Sequence, residues 1–405
     1  MDTLWTPVDT RDGMGCLRPL SGPYREGLRD VELLIRPVGV LGSVHRRIST
    51  FRPDAGTRGE LTEPLMTRVM PLMFRLGLLP KPPIASTVAT LDDRTSKVIR
   101  PVVEPQISSG GRELKRYLDV EFARPSSRGG RAMNLRMDIL VPASGPPAPA
   151  VVYVGGGGFI MAPKEAALPR RTYVAEAGLV VASIQYRTVR NGATYRDGVA
   201  DVKSAVRFLR AQAATYGIDP HRMAIWGESA GGYLAAMAAL TTGNSDFEAG
   251  ENLGQSSSVQ AVVDQFGASD LSKVGDDFDA TTRAQLLSGG NLRRYIGAKD
   301  GALDPSVASS VANPLTYVTP SAPPFLILHG SQDRLISPSQ TLLLHERLRA
   351  AGVPTTRYVL EGANHGDLSF LGDRTSGLVW SSKETMDLIV DFLSTTIGVR
   401  PQDDS

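Results

Sequence analysis

The sequence is short of several things that would widen the choice of chemistry. Its 405 residues include one cysteine, Cys16, so no disulfide can form within the chain. No stretch reaches the ~18 uninterrupted apolar residues that a membrane-spanning helix needs. The opening Met1-Asp2-Thr3-Leu4-Trp5-Thr6-Pro7 lacks the charged start and continuous apolar run of a signal peptide. These three absences lead us to expect a cytoplasmic protein. Nor is there an excess of charge, since a net +2 gives no reason to expect nucleic acid as a partner. Residues 1–150 hold 22 Lys and Arg against 16 Asp and Glu, and the remainder 22 against 26. Arginines scattered through non-repetitive sequence describe a solvated face better than a polyanion site. Histidine is scarce too, with five in the chain, which narrows any search for a general base.

Against that background one pentapeptide stands out: Gly227-Glu228-Ser229-Ala230-Gly231. Ahead of it lies Met223-Ala224-Ile225-Trp226, a short apolar run suited to a buried strand. Behind it Gly232-Tyr233-Leu234-Ala235-Ala236-Met237-Ala238-Ala239-Leu240 is rich in helix formers. G-x-S-x-G alone is a weak pattern, and the competing reading is a turn whose serine caps a helix. Between a strand and a helix it predicts a nucleophile elbow. A side chain at Gly227 or Gly231 would collide with neighbouring backbone in so tight a turn. The helix would point its positive end at any developing anion.

From about residue 115 strand-like and helix-like segments alternate, the pattern of an α/β fold around a mostly parallel sheet. Tyr117 to Ala123 and Leu135 to Val141 predict an antiparallel opening pair. Val151 to Val154 and Leu179 to Tyr186 suit central strands. Ala200 to Tyr216 carries Val202, Ala205, Val206, Leu209 and Ala213 at helical spacing. After the elbow we expect strands at Val259–Phe266, Pro324–His329 and Thr356–Leu360. A helix from Ser339 to Ala351 should precede the last of these, and Ser382 to Ile397 should form the terminal helix. Asp270 to Pro320 is irregular, with a helix around Ala280 to Leu287, and suits a cap over the sheet. The first 110 residues are rich in Pro and Arg. Within them Leu65, Met66, Val69, Met70, Met73 and Leu76 share one helical face that Pro71 would kink. That stripe has to be buried on the catalytic domain, on the cap or against a second copy of the chain. A homo-oligomer through the extension is therefore one of three expectations. The expected organisation is an extension over residues 1–110, helical and contributing to a cap, then a catalytic domain over 111–400 with a cap-like insertion at about 270–320.

A serine hydroxyl needs a base within hydrogen-bond reach. His45 lies in the extension, and His221 starts the elbow strand, at the wrong end of the sheet. His345 is mid-helix beside Glu346 and reads as solvated. His329 ends a strand at the correct edge, but Gly330 follows and it reads as structural. His365, in Glu361-Gly362-Ala363-Asn364-His365-Gly366 after the last strand, is the candidate base. The acid that fixes its tautomer should follow a strand between serine and histidine. Asp333 fills that place, with a helix-capping aspartate as the bland alternative and Asp270 in reserve. Glu228 should point away from the reaction as a scaffold carboxylate.

The glycine run Gly155-Gly156-Gly157-Gly158-Phe159 directly follows a strand. Gly157 and Gly158, with Ala230, are the candidate N–H donors to an oxyanion, and Phe159 is a candidate substrate contact. Glycine runs also cradle phosphates, but no Lys-Ser/Thr follows and no G-x-G-x-x-G is present, which argues against a nucleotide site.

From about residue 135 onward the chain resembles α/β-hydrolase esterases of the hormone-sensitive-lipase and carboxylesterase type, including the bacterial esterase/lipase family. The residues that carry the resemblance are Tyr216-Gly217-Ile218-Asp219-Pro220, Trp226 to Gly232, Pro323 to Gly330 with Asp333, and Gly362 to Gly366. It implies an α/β-hydrolase fold with Ser229 as nucleophile, Asp333 as acid and His365 as base. It further implies a small-molecule ester as substrate and neither metal nor organic cofactor. Gly155 departs from the pattern, because the family usually has a histidine there that anchors the loop. The first 110 residues fall outside the resemblance. An amidase or peptidase would use the same machinery. A small-molecule receptor on this fold would be expected to have lost a triad member.

Overall fold

The strands of the central sheet are apolar on both faces, and Ala148–Val154 shows why. Ala150, Val152 and Val154 enter one core, while Val151 and Tyr153 enter another on the opposite face. The same division recurs at Phe325 and Ile327 against Leu326 and Leu328. Continuous apolar runs, rather than alternating ones, follow from a sheet covered on both sides. The computed structural model describes residues 4–7, 17–20, 95–101, 111–127, 129–288, 290–297, 310–366 and 379–398.

The chain divides into two units, Met1–Pro64 and Leu65–Ser405. In the first, β1 (Leu4–Pro7) and β2 (Leu17–Leu20) pair antiparallel. The expected helix over residues 62–79 and His45 lie outside the described residues.

The second unit holds a nine-stranded sheet. Its strands are β3 (Ser96–Ile99), β4 (Leu114–Ala123), β5 (Leu135–Pro142), β6 (Ala148–Val154), β7 (Val180–Ile184), β8 (Ile218–Glu228), β9 (Ala261–Gln265), β10 (Phe325–Gly330) and β11 (Thr355–Leu360). The order is β3-β11-β10-β9-β8-β6-β7-β5-β4. β5 runs antiparallel to β4 and β7, and every other pairing is parallel. This is the α/β-hydrolase fold, with the expected antiparallel pair formed by β4 and β5, which the sheet order places at one edge. Helices Tyr195–Ala211, Ala230–Leu240 and Ser339–Ala350 cover one face; Leu168–Glu176 and Lys383–Leu393 cover the other. Every residue of Ala230–Leu240 is buried, so its sequence is apolar all round instead of amphipathic. The terminal helix begins at Ser382, whose hydroxyl accepts from the Thr385 N–H.

Two readings change. The sheet begins before residue 111, because β3 joins it at the far edge, parallel to β11. His345 is buried, not solvated. Its Nε2 lies 2.7 Å from the Thr95 carbonyl and its Nδ1 3.1 Å from Thr355 Oγ1. Glu346 faces outward, and the histidine one residue earlier turns inward against β3 and β11.

Asp264, wholly buried in β9, accepts from the Gly267 N–H at 3.0 Å through Oδ1. Oδ2 has no protein partner among the described residues. Burial outweighs that one hydrogen bond and pushes the carboxyl up to about 7. The folded state therefore binds this proton more tightly than the unfolded chain, whose carboxyl titrates near ~3.9. Its contribution to stability is present below pH ~4 and is lost as pH rises to about 7. The melting temperature of the wild-type protein should fall across this window relative to Asp264→Asn. Parallel melting curves for the two proteins would count against a protonated Asp264.

Candidate active site

Four loops converge at the carboxyl ends of the parallel strands, the edge where open α/β sheets bind ligands. Ser229 follows β8, the glycine loop follows β6, Asp333 follows β10 and His365 follows β11. Ser229 has φ 55° and ψ −120°, a conformation that a non-glycine residue rarely adopts. Its N–H is tied to the Gln265 carbonyl at 2.9 Å, and its own carbonyl accepts from Tyr233 at 3.0 Å. A Cβ on Gly227 would land on the Gly231 carbonyl, and one on Gly231 would land on the Val154 carbonyl. The two motif glycines are thus needed sterically, as the sequence pattern suggested.

The structure brings together the three residues singled out from sequence. Ser229 Oγ lies 2.7 Å from His365 Nε2, and His365 Nδ1 lies 2.6 Å from Asp333 Oδ2. Asp333 has no solvent exposure. Burial alone would raise its carboxyl, but His365 and His329 beside it outweigh that and hold it well below the usual carboxylate range. The histidine loop is fixed from several sides. The His365 N–H donates to Asn364 Oδ1 at 2.8 Å, and Trp380 Nε1 donates to the Asn364 carbonyl at 2.9 Å. Phe266 stands edge-to-face against the imidazole at 4.7 Å and against Trp380 at 4.5 Å.

The remaining candidates lie elsewhere. Asp270, the reserve acid, binds Ser272 and Asn313. His221 is exposed at the start of β8. Glu228 is buried in a two-pronged pair with Arg170, at 2.6 and 3.0 Å, and serves as scaffold beneath the elbow.

The glycine loop runs alongside the elbow, and a Cβ on Gly156 would stand 3.1 Å from Ser229 Cβ. The Gly157 carbonyl accepts from the N–H groups of Ile160 and Met161 at 2.9 and 3.1 Å. Gly157 and Gly158 therefore belong to a turn beside the elbow, and Ala230 opens the elbow helix directly after Ser229. Phe159 has φ 61°, stacks on Tyr295 at 3.9 Å and meets Tyr233 edge-on at 5.4 Å. Tyr295 ends the helix Gly290–Tyr295, which with the helix Ala280–Ser288 lies in the segment after β9, so that segment rests on the glycine loop. One anchor was missed from sequence: the hydroxyl of the buried Tyr186 donates to the Gly155 carbonyl at 2.9 Å. It ties the loop at Gly155, the position where the sequence departs from the expected pattern. Its only local signal is a tyrosine placed just after β7.

The BD-FAE family model matches residues 137–348, just over half of the chain. The chain belongs to the BD-FAE family. This is an α/β-hydrolase esterase family. Among curated proteins, the esterase LipC of Mycobacterium tuberculosis is 35% identical over 234 residues, 56% of this chain and 55% of LipC. The esterase LipQ of the same organism is 29% identical over 293 residues, 71% of this chain and 65% of LipQ. The chain spans about half to two-thirds of the length of these relatives. Among solved structures, the thermophilic esterase Est2 of Thermogutta terrifontis, with propionate bound, superposes with a TM-score of 0.53 at 27% identity. That match covers 72% of this chain and 97% of Est2. For this BD-FAE protein the matched region contains Ser229 and Asp333, whereas His365 lies just beyond it.

Tyr186→Phe leaves the buried Gly155 carbonyl unpaired and should lower the unfolding free energy by about 1–3 kcal/mol in urea titrations. Amide hydrogen exchange over residues 156–160 should quicken at the same time. Unchanged exchange there would show that Tyr186 does not restrain the loop.

Proposed function

We propose that this protein is a serine hydrolase that cleaves a carboxylic ester through a covalent acyl-enzyme. The observation that carries the reading is the unbroken hydrogen-bonded line from Ser229 Oγ through His365 to the buried Asp333 carboxylate. Membership of an esterase family and the likeness to Est2, LipC and LipQ support it. In this reading Ser229 Oγ attacks the ester carbonyl as His365 Nε2 takes its proton. The oxyanion is met by the N–H groups of Gly157, Gly158 and Ala230 at the positive end of the elbow helix. Collapse of the tetrahedral intermediate passes the proton from His365 to the departing alcohol and leaves Ser229 acylated. Water, deprotonated by His365, then attacks the acyl carbonyl, and Ser229 leaves with that proton. Asp333 keeps Nδ1–H directed toward itself, so the Nε2 lone pair faces the serine. The segment carrying Tyr295 acts as a cap, with Phe159 and Tyr295 forming an aromatic wall beside the acyl group. The Est2 structures with propionate and with butyrate bound make short acyl chains the first esters to try.

Ser229→Ala and His365→Ala should each reduce kcat by on the order of 10³-fold or more on p-nitrophenyl esters. The double variant should be little worse than either single one, because the two side chains act as a unit. Asp333→Asn should be impaired with some activity left. An organophosphate should add once, on Ser229, as Est2 is phosphoramylated by tabun. Near-normal kcat in His365→Ala, or an adduct elsewhere, would overturn the assignment. Faster turnover of a matched amide than of the ester would redirect it to an amidase.

A further inference from the structure

The line of hydrogen bonds does not stop at Asp333. The carboxylate has four donors around it: the N–H groups of Leu335 and Ile336 on Oδ1, at 2.8 and 3.0 Å, and two histidines on Oδ2. The second histidine is His329, at the end of β10, whose Nε2 lies 3.1 Å from Oδ2. It takes no part in the proton transfers between Ser229 and His365, and it has no solvent exposure.

Its partners fix its tautomer. Nε2 faces two acceptors, Asp333 Oδ2 and the Ile336 carbonyl at 3.2 Å, so it carries the hydrogen. Burial lowers the basicity of His329 and, with the Arg357 cation, outweighs the Asp333 carboxylate that raises it, so the ring is neutral and Nδ1 keeps its lone pair. Thr341 Oγ1, 2.9 Å from Nδ1, then donates to it. The threonine oxygen in turn accepts from Arg357 Nε at 3.1 Å. Arg357, buried in β11, directs Nη2 to the Pro338 carbonyl at 3.0 Å and Nη1 to Ser96 Oγ of β3 at 2.8 Å. The single Thr341 hydrogen has a second acceptor in range, the Pro338 carbonyl at 3.2 Å, and the contact to Nδ1 is the shorter of the two.

We propose that His329 is a positioning residue for the catalytic acid, held by Thr341 in the tautomer that donates to Asp333. The inference rests on the ester-hydrolase reading. A carboxylate held by one histidine retains freedom to rotate; a second donor on the same oxygen, with two N–H groups on the other, fixes its plane. The second donor also draws charge from Oδ2. The carboxylate then orients His365 without over-stabilising its protonated form, which is inactive as a base. The charged and titratable groups facing His329 and His365 are Asp333, Arg357, each other and, across from His329, Asp277.

The test compares full-length wild type with His329→Leu, His329→Gln, Thr341→Val and Ser229→Ala. Each is assayed on a p-nitrophenyl ester from pH 5 to 10 with its melting temperature recorded. His329→Leu should lose roughly tenfold to a hundredfold in kcat while KM stays within about twofold, as expected for misplacement of a reacting group. Its acid limb of kcat/KM should move to higher pH, because an Asp333 relieved of one donor stabilises the protonated imidazole more strongly. His329→Gln brings an amide N–H to the place of Nε2, and should restore most of the lost kcat and return the limb toward wild type. Thr341→Val removes the donor to Nδ1 together with the acceptor of Arg357 Nε, and should fall between wild type and His329→Leu in both measures. If His329→Leu fails to fold, the Gln and Val variants decide the matter by the same two measures. A folded His329→Leu with wild-type kcat and limb overturns the proposal. So does a loss that Gln does not restore and that leaves the limb unmoved, which would make His329 a space-filler. Turnover retained in Ser229→Ala would instead defeat the hydrolase reading, whatever the His329 variants show.

Discussion

Everything at the carboxyl edge of the sheet is referred to one strained residue. Ser229 sits at positive φ, a conformation that costs about 1–3 kcal/mol and persists where its surroundings over-determine it. Here β6 and β9 flank the strand that delivers it, Gln265 holds its N–H, and its carbonyl starts a wholly buried helix. Neighbouring backbone approaches so closely that no side chain fits at Gly227 or Gly231. The glycine loop, the imidazole and the acid then have to meet a hydroxyl whose position they cannot adjust.

They do so from separate strands, and this explains the rigidity around them. Each loop carries its own restraint: Tyr186 on the glycine loop, Asn364 with Trp380 and Phe266 on the histidine, and paired N–H groups on Asp333. Glu228 and Arg170 complete this from below as a buried ion pair adjoining the serine. Removing one partner alone would leave an uncompensated buried charge.

What could be read from the chain and what could not divide along a physical line. The elbow, Asp333 and His365 sit in short motifs of a few positions each, so their convergence at one edge is legible locally. The strands are legible for the same reason, since burial on both faces writes apolar runs. β3 is not, because four residues with Ser and Lys become a strand only through β11, more than 250 positions away. His345 misleads because the polarity of Glu346 hides the inward side of the same turn. Tyr186 and His329 look ordinary in sequence, because each takes its meaning from an atom that only the folded sheet brings near.

The far-edge strand also bears on the order of folding. Ser96 and Arg357 are 261 positions apart, and Thr95 and His345 are 250 apart. During synthesis β3 emerges early and must wait, unpaired, until nearly the whole catalytic region has left the ribosome. Closing so long a loop costs entropy that only the assembled sheet returns. An open strand left waiting is a template for mispairing. Lys97 within it and Arg100 just after place charge on that edge during the delay, the kind of guard that discourages pairing with another chain before β11 arrives.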